Sequence, residues 1–173
     1  MARFLDALVA HGIYVDANID EKRKPADAFC IVNRFHTIDQ ILMRMLKESN
    51  NLYAEAMYYQ IAASTENHPA SARSARAVER RLVDKIGLDA SRYKFADGSG
   101  LSLYNYVSAE LEVKMLRYAY KNENIRHQLM PALPIAGVDG TLKKRMKGSF
   151  TRENVKAKTG TLTGISSLAG YCQ

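Results

Sequence analysis

Apolar side chains recur at helical spacing over residues 3–10, where Phe4, Leu5, Leu8 and Val9 share a face and Gly12 supplies a stop. Residues 13–15 and 28–32 are apolar and β-branched enough to predict short strands, joined by the polar, charged stretch 16–27. Thr37-Ile38-Asp39-Gln40 is a capping box. It opens a helix in which Ile38, Ile41, Leu42, Met45 and Leu46 lie on one face. Ser49-Asn50-Asn51 interrupts that stripe, because short polar side chains compete for backbone hydrogen bonds. A second helix is predicted over about residues 52–63.

His68-Pro69 marks a break. Val78, Leu82 and Ile86 define a third helix, with Arg73, Arg76, Arg80 and Arg81 on its exposed face and Gly87 at its end. Residues 93–96 predict a brief strand, and Asp97-Gly98-Ser99-Gly100 a tight turn. Ser108 caps a fourth helix carrying Leu111, Met115 and Ala119, and Pro131 and Pro134 close a shorter one. From Val155 onward the pattern alternates, predicting strands over about 155–161 and 165–172 joined at Thr163-Gly164. Helices followed by paired strands imply an α+β fold with an antiparallel sheet flanked by helices. No repeat or long linker divides residues 1–173, which read as one domain.

Composition narrows the function classes. The chain has 173 residues, 47 % of them apolar, which suits a globular core. No stretch approaches the ~18 consecutive apolar residues of a spanning helix. Asp6 interrupts the first apolar run and His11-Gly12 follows it, so the start does not read as a secretory signal. Cys30 and Cys172 are the only cysteines; a disulfide between them and two buried free thiols both fit their apolar, strand-like contexts. His11, His36, His68 and His127 are scattered and no C-x-x-C is present, so neither a metal site nor a cofactor is expected.

The net charge of +7 is concentrated in Lys143, Lys144, Arg145, Lys147, Arg152, Lys156 and Lys158, against the single acid Glu153. That cluster would attract anions or form a solvated basic face. No helix-turn-helix, finger or aromatic stacking pattern accompanies it, so a nucleic-acid partner is not expected.

Lys158-Thr159-Gly160 carries the most chemistry. On a strand, Lys158 places a positive charge at the edge of a cleft, while Thr159 and Thr161 point to the opposite side unless the strand twists or bulges. Gly160 lets another backbone approach, and a free strand edge can receive an extended peptide. Lysine and hydroxyls beside such an edge suit a ligand ending in a carboxylate.

Four stretches occur together in one order: residues 46–51 around Ser49-Asn50-Asn51, residues 97–102 (DGSGLS), residues 135–142 (IAGVDGTL) and residues 156–164 (KAKTGTLTG). In this the chain resembles part of a D-alanyl-D-alanine carboxypeptidase of the low-molecular-mass, class C penicillin-binding type. Such enzymes combine S-x-x-K, S-x-N and K-T-G. The resemblance implies a partial transpeptidase or serine β-lactamase-like fold. It also implies that Ser49 relays protons between the catalytic lysine and the leaving amine, that Asn51 holds the substrate amide, and that Lys158 supplies an electrostatic field. By the same resemblance Thr159, Gly160 and Thr161 form the substrate edge, the two hydroxyls meet the terminal carboxylate, and the Thr161 N–H gives half of the oxyanion hole. Asn50 stands where Asp is common, removing one negative charge. The loops of Asp97 and Asp139 are assigned a structural role.

The attacking serine of the family belongs to S-x-x-K and precedes S-x-N. Residues 1–48 contain no serine, and Ser91-Arg92-Tyr93-Lys94 lies between the other motifs without opening a helix. The expectation is a partial catalytic domain lacking the S-x-x-K segment, a large insertion and a C-terminal strand and helix, with an unpaired sheet edge and exposed apolar surface. The resemblance implies peptidoglycan stem peptides ending in D-Ala-D-Ala as substrate, β-lactams as inhibitors of the complete enzyme, and the periplasm or outer cell surface as location. Endopeptidase action on wall cross-links is left open, and a non-catalytic wall-peptide-binding relative is the alternative.

Overall fold

Helix α1 (Ala2–Ala10) ends as the sequence pattern requires, with the amides of His11 and Gly12 donating to the carbonyls of Ala7 and Val9. It belongs to the first of two compact units, Met1–Phe35 and His36–Gln173. The computed structural model describes residues 2–16, 23–64 and 70–173. The His68-Pro69 break and residues 17–22 of the polar stretch 16–27 lie outside these residues. Residues 13–15 and 28–32 form no strands. β-Branched residues favour extended backbone, but a strand exists only within a ladder, and no ladder partner reaches either segment among the described residues.

In the second unit, Thr37 opens helix α2 (Ile38–Leu42) with the predicted reciprocal box: its hydroxyl accepts from the Gln40 amide at 3.3 Å, and the Gln40 side chain accepts from the Thr37 amide at 3.1 Å. The helix does not run on regularly to residue 46. It widens into a π-helical turn (Met43–Lys47), and the Asn50 amide reaches back five residues to the Met45 carbonyl at 3.2 Å. A one-faced apolar stripe cannot distinguish such a turn from an α-helical one over so few residues. Wide turns of this kind recur at functional sites.

Helix α3 (Asn51–Ala63) packs on α4 (Ala72–Lys85) through Tyr58, Ala62 and Ala75. Ser71 and Ser74 cap α4 reciprocally, a box hidden from the sequence reading because serine stands in the usual Glu or Gln position. A second cluster, Val83, Ala90, Tyr93 and Leu111, joins α4 to α5 (Ala109–Lys121). Val83 is fully buried, and burying a side chain of its kind contributes about 1.5–3 kcal/mol. Ser108 caps α5, and Asn122 both ends it and caps α6 (Glu123–Ala132).

Strands β1 (Val155–Leu162) and β2 (Ile165–Cys172) pair antiparallel, in a register running from Val155 opposite Cys172 to Leu162 opposite Ile165. Gly164, at φ +78°, supplies the left-handed step of the turn. Helices with an antiparallel sheet make this an α+β fold. The brief strand predicted over residues 93–96 reduces to one bridge, Lys94 with Tyr106, because the chain turns away at once into the Asp97 loop. Cys30 and Cys172 are free thiols and both are exposed rather than buried.

Segment 134–136 meets the other edge of β1. The Ala157 amide donates to the Pro134 carbonyl at 3.0 Å, and the Ala136 amide to the Val155 carbonyl at 2.9 Å. This pairing stops before the K-T-G motif, and the stop creates the site.

Candidate active site

Residues 155 and 157 direct their backbone groups to the 134–136 segment. Because polar groups alternate along a strand, those of Thr159 and Thr161 point to the same edge. There the Thr161 N–H meets no backbone partner among the described residues. An exposed N–H at a strand edge is a ready donor to a carbonyl or an oxyanion.

Lys158 does not simply point away from this edge. Its ammonium curls back to donate to the carbonyl of Thr159, and it donates to Ser49 Oγ at 2.7 Å. Burial pushes the Lys158 pKa down from its ordinary value. The proton is therefore held less tightly than on a solvated lysine. A serine oxygen that accepts from an ammonium still has its own proton to give, so the pair can pass a proton along a short path.

Ser49 reaches Lys158 through local backbone geometry. It sits at φ +54°, between the π-helical turn and α3. The left-handed region costs a residue other than glycine about 1–2 kcal/mol. The next residue, Asn50, is the N-cap of α3, its side-chain oxygen accepting from the Tyr53 amide at 3.3 Å. Aspartate and asparagine cap helices about equally well. The Asp-to-Asn exchange in the motif thus preserves what the middle residue does here. Asn51 begins α3, and among the described residues its side chain has no hydrogen-bond partner, leaving the amide free for a ligand.

Ser49, Asn51, Lys158, Thr159, Gly160 and Thr161 all line one cleft of about 830 Å³. The 97–103 loop lines it as well. That loop is organised by carboxylates. Glu55 accepts from the amides of Gly98 at 3.2 Å and Ser99 at 2.9 Å. Asp97 accepts from the Gly100 and Ser102 amides and from the Asn105 side chain at 2.7–2.8 Å. Burial alone would raise the Asp97 pKa, but the bonds from Asn105, Ser102, Gly100 and Ser99 outweigh it and hold the carboxyl below its ordinary value. Nearby, Glu79 has a buried Oε2 that meets no hydrogen-bond partner among the described residues. Burial, with Asp97 adding to it against Arg76, pushes Glu79 up to about 7.

Sequence reasoning did not single out Glu55 or Thr141. Glu55 lies one helical turn after Asn51 and so on the same face of α3, a spacing that signals it. Thr141 lines the cleft and accepts from the Thr159 hydroxyl at 2.9 Å. Ser91 occupies a short 3-10 turn, and neither it nor Lys94 lines the cleft. No group of three or more His, Cys, Asp or Glu that could hold a metal ion is found among the described residues.

Known proteins resemble this chain in sequence and fold. The D-alanyl-D-alanine carboxypeptidase DacB of Haemophilus influenzae is 36 % identical over 136 residues, covering 78 % of this chain and 28 % of its own length. The D-alanyl-D-alanine carboxypeptidase of Actinomadura sp. (strain R39) is 34 % identical over 177 residues, covering 97 % of this chain and 32 % of its own length. The crystal structure of penicillin binding protein 4 (dacB) from H. influenzae matches with a TM-score of 0.72 at 36 % identity, over 78 % of this chain and 30 % of that one. A structure of the same protein complexed with a β-lactam matches with a TM-score of 0.69. The chain thus spans about a third or less of the length of these relatives. A family model matches residues 1–173 throughout and places the chain in the D-Ala-D-Ala carboxypeptidase 3 (S13) family.

Proposed function

We propose that the chain forms the S-x-N and K-T-G walls of a serine-type D-Ala-D-Ala carboxypeptidase site, acting on peptidoglycan stem peptides that end in D-Ala-D-Ala. The observation that carries this reading is the 2.7 Å contact between Lys158 Nζ and Ser49 Oγ, 109 residues apart in sequence. An extended peptide would add along the free edge of β1. Its terminal carboxylate would meet the hydroxyls of Thr159 and Thr161 and the charge of Lys158. Asn51 would hold the adjacent amide, and the Thr161 N–H would face the carbonyl oxygen that gains charge. Ser49 would pass a proton to the leaving amine. A β-lactam, which also presents a carboxylate beside a reactive carbonyl, would use the same contacts. Such chemistry belongs in the periplasm or at the outer cell surface, where the wall is built.

The acyl-enzyme needs an attacking serine of the S-x-x-K type. Residues 1–48 hold no serine, and Ser91 lies outside the cleft. In this reading the chain supplies binding and proton relay, and no S-x-x-K serine of its own lines the cleft. The test is the intact mass of the folded chain after incubation with benzylpenicillin. No adduct is expected. A stable adduct mapped to one serine would show that the chain carries its own nucleophile and would overturn this division of labour.

A further inference from the structure

Something must hold the Ser49 turn against the Lys158 strand, and the residues between 133 and 142 occupy the gap. On one side, the Lys47 ammonium donates to Asp139 Oδ2 at 2.5 Å and to the Leu133 carbonyl at 3.0 Å. Lys47 is two residues before Ser49 and ends the π-helical turn. Asp139 Oδ1 accepts from the Ile135 amide at 2.8 Å, closing the loop on itself. Gly140 packs so closely on this turn that a Cβ there would lie 2.9 Å from the Lys47 carbonyl oxygen. On the other side, the Thr159 hydroxyl donates to Thr141 Oγ1 at 2.9 Å. Thr159 is next to Lys158. Leu142 anchors the segment by full burial. The short Gly140–Leu142 turn contacts both the Met43–Lys47 turn and β1.

We propose that Asp139-Gly140-Thr141 is a brace that sets the distance between Ser49 and Lys158, with Thr141 and Asp139 as its positioning residues. The Lys47–Asp139 ion pair fixes one end. Its partners are mostly shielded, the Lys47 side chain being 14 % exposed and that of Asp139 35 %, so the pair is screened less than a surface pair. The Thr159–Thr141 hydroxyl bond fixes the other. This goes beyond the peptide-binding reading, because it concerns only the protein's own side chains.

The brace makes the hydration of Lys158 depend on residues that never touch it. Loosening the brace should let the Ser49 turn retreat and water reach the ammonium. The test is an NMR titration of the labelled lysine side chains, with Lys158 assigned from the signal lost in Lys158→Arg. In Thr141→Val, which removes the hydroxyl at nearly constant volume, the Lys158 midpoint is expected to rise toward the ordinary lysine value. Thr141→Ser is expected to leave it where it is in the wild type. Asp139→Asn should raise it as well, provided the variant keeps the wild-type circular dichroism. An unchanged midpoint in folded Thr141→Val would overturn the proposal, as would a Thr141→Ser variant that behaves like Thr141→Val. A merely structural threonine would change melting without moving the titration of Lys158.

Discussion

Replacing Lys158 with methionine is expected to weaken binding of an acyl-D-Ala-D-Ala peptide about 10- to 100-fold, the worth of a charge-assisted hydrogen bond of about 1.5–3 kcal/mol. The same variant should melt at the wild-type temperature or above it. These two effects part company because Lys158 is poorly solvated: burial lowers its pKa from 10.5. Between the lowered value and 10.5 the unfolded chain binds more protons than the folded one. Wild-type stability therefore rises with pH through that window, and below it the cost of holding the charge is fully present. Lys158→Met removes both the cost and that part of the slope. Calorimetric binding together with melting curves across alkaline pH checks the pair of effects. A variant that binds the peptide as the wild type does would contradict the role given to the ammonium. A variant that melts much lower would show that Lys158 holds the fold together instead.

The second large effect is structural. Gly98→Ala is expected to destabilise the protein by about 3 kcal/mol, which for a chain of this size lowers the melting temperature by about 6–12 °C. A Cβ at Gly98 would lie 2.5 Å from Tyr58 Cβ and 2.7 Å from the Ala54 carbonyl oxygen. Neither neighbour can yield. Ala54 offers backbone of α3, and Tyr58 is 4 % exposed with its hydroxyl donating to the Ala72 carbonyl. Moving the loop instead would pull the Gly98 and Ser99 amides off Glu55. Gly100→Ala is the comparison. A Cβ there meets nothing within 4 Å, so only the left-handed backbone at φ +79° is penalised, at about 1–2 kcal/mol. Equal losses in the two variants, measured by thermal or urea denaturation, would show that close packing on α3 is not what holds the 97–103 loop.

Local chemistry was legible wherever a short motif fixes backbone geometry. Thr37 with Gln40, Ser108 before α5 and Thr163-Gly164 between the strands each determine a cap or a turn within a few residues, and each appears where the pattern placed it. Ladder partners were not legible. Residues 13–15 and 28–32 have the composition of strands, and composition says nothing of whether a neighbour is there to pair. The exposed cysteines failed for the same reason, since an apolar neighbourhood in sequence need not be one in space. In the site, alternation along β1 put Lys158 and Thr159 on opposite sides, yet both line the cleft. A lysine is long enough to bend around its own strand edge, as the bond to the Thr159 carbonyl shows. Thr141 and Lys47 were hidden because their partners, Thr159 and Asp139, are far away in the chain.

The most direct measurement is a titration of the isotopically labelled chain with a D-Ala-D-Ala-terminated peptide, followed through the amide signals of β1 and the start of α3. Saturable shifts confined to Ser49, Asn51 and residues 158–162 are expected, absent with the L-Ala-L-Ala peptide and lost in Lys158→Met. No shift, or equal shifts with both peptides, would contradict the claim that this cleft reads a D-Ala-D-Ala terminus.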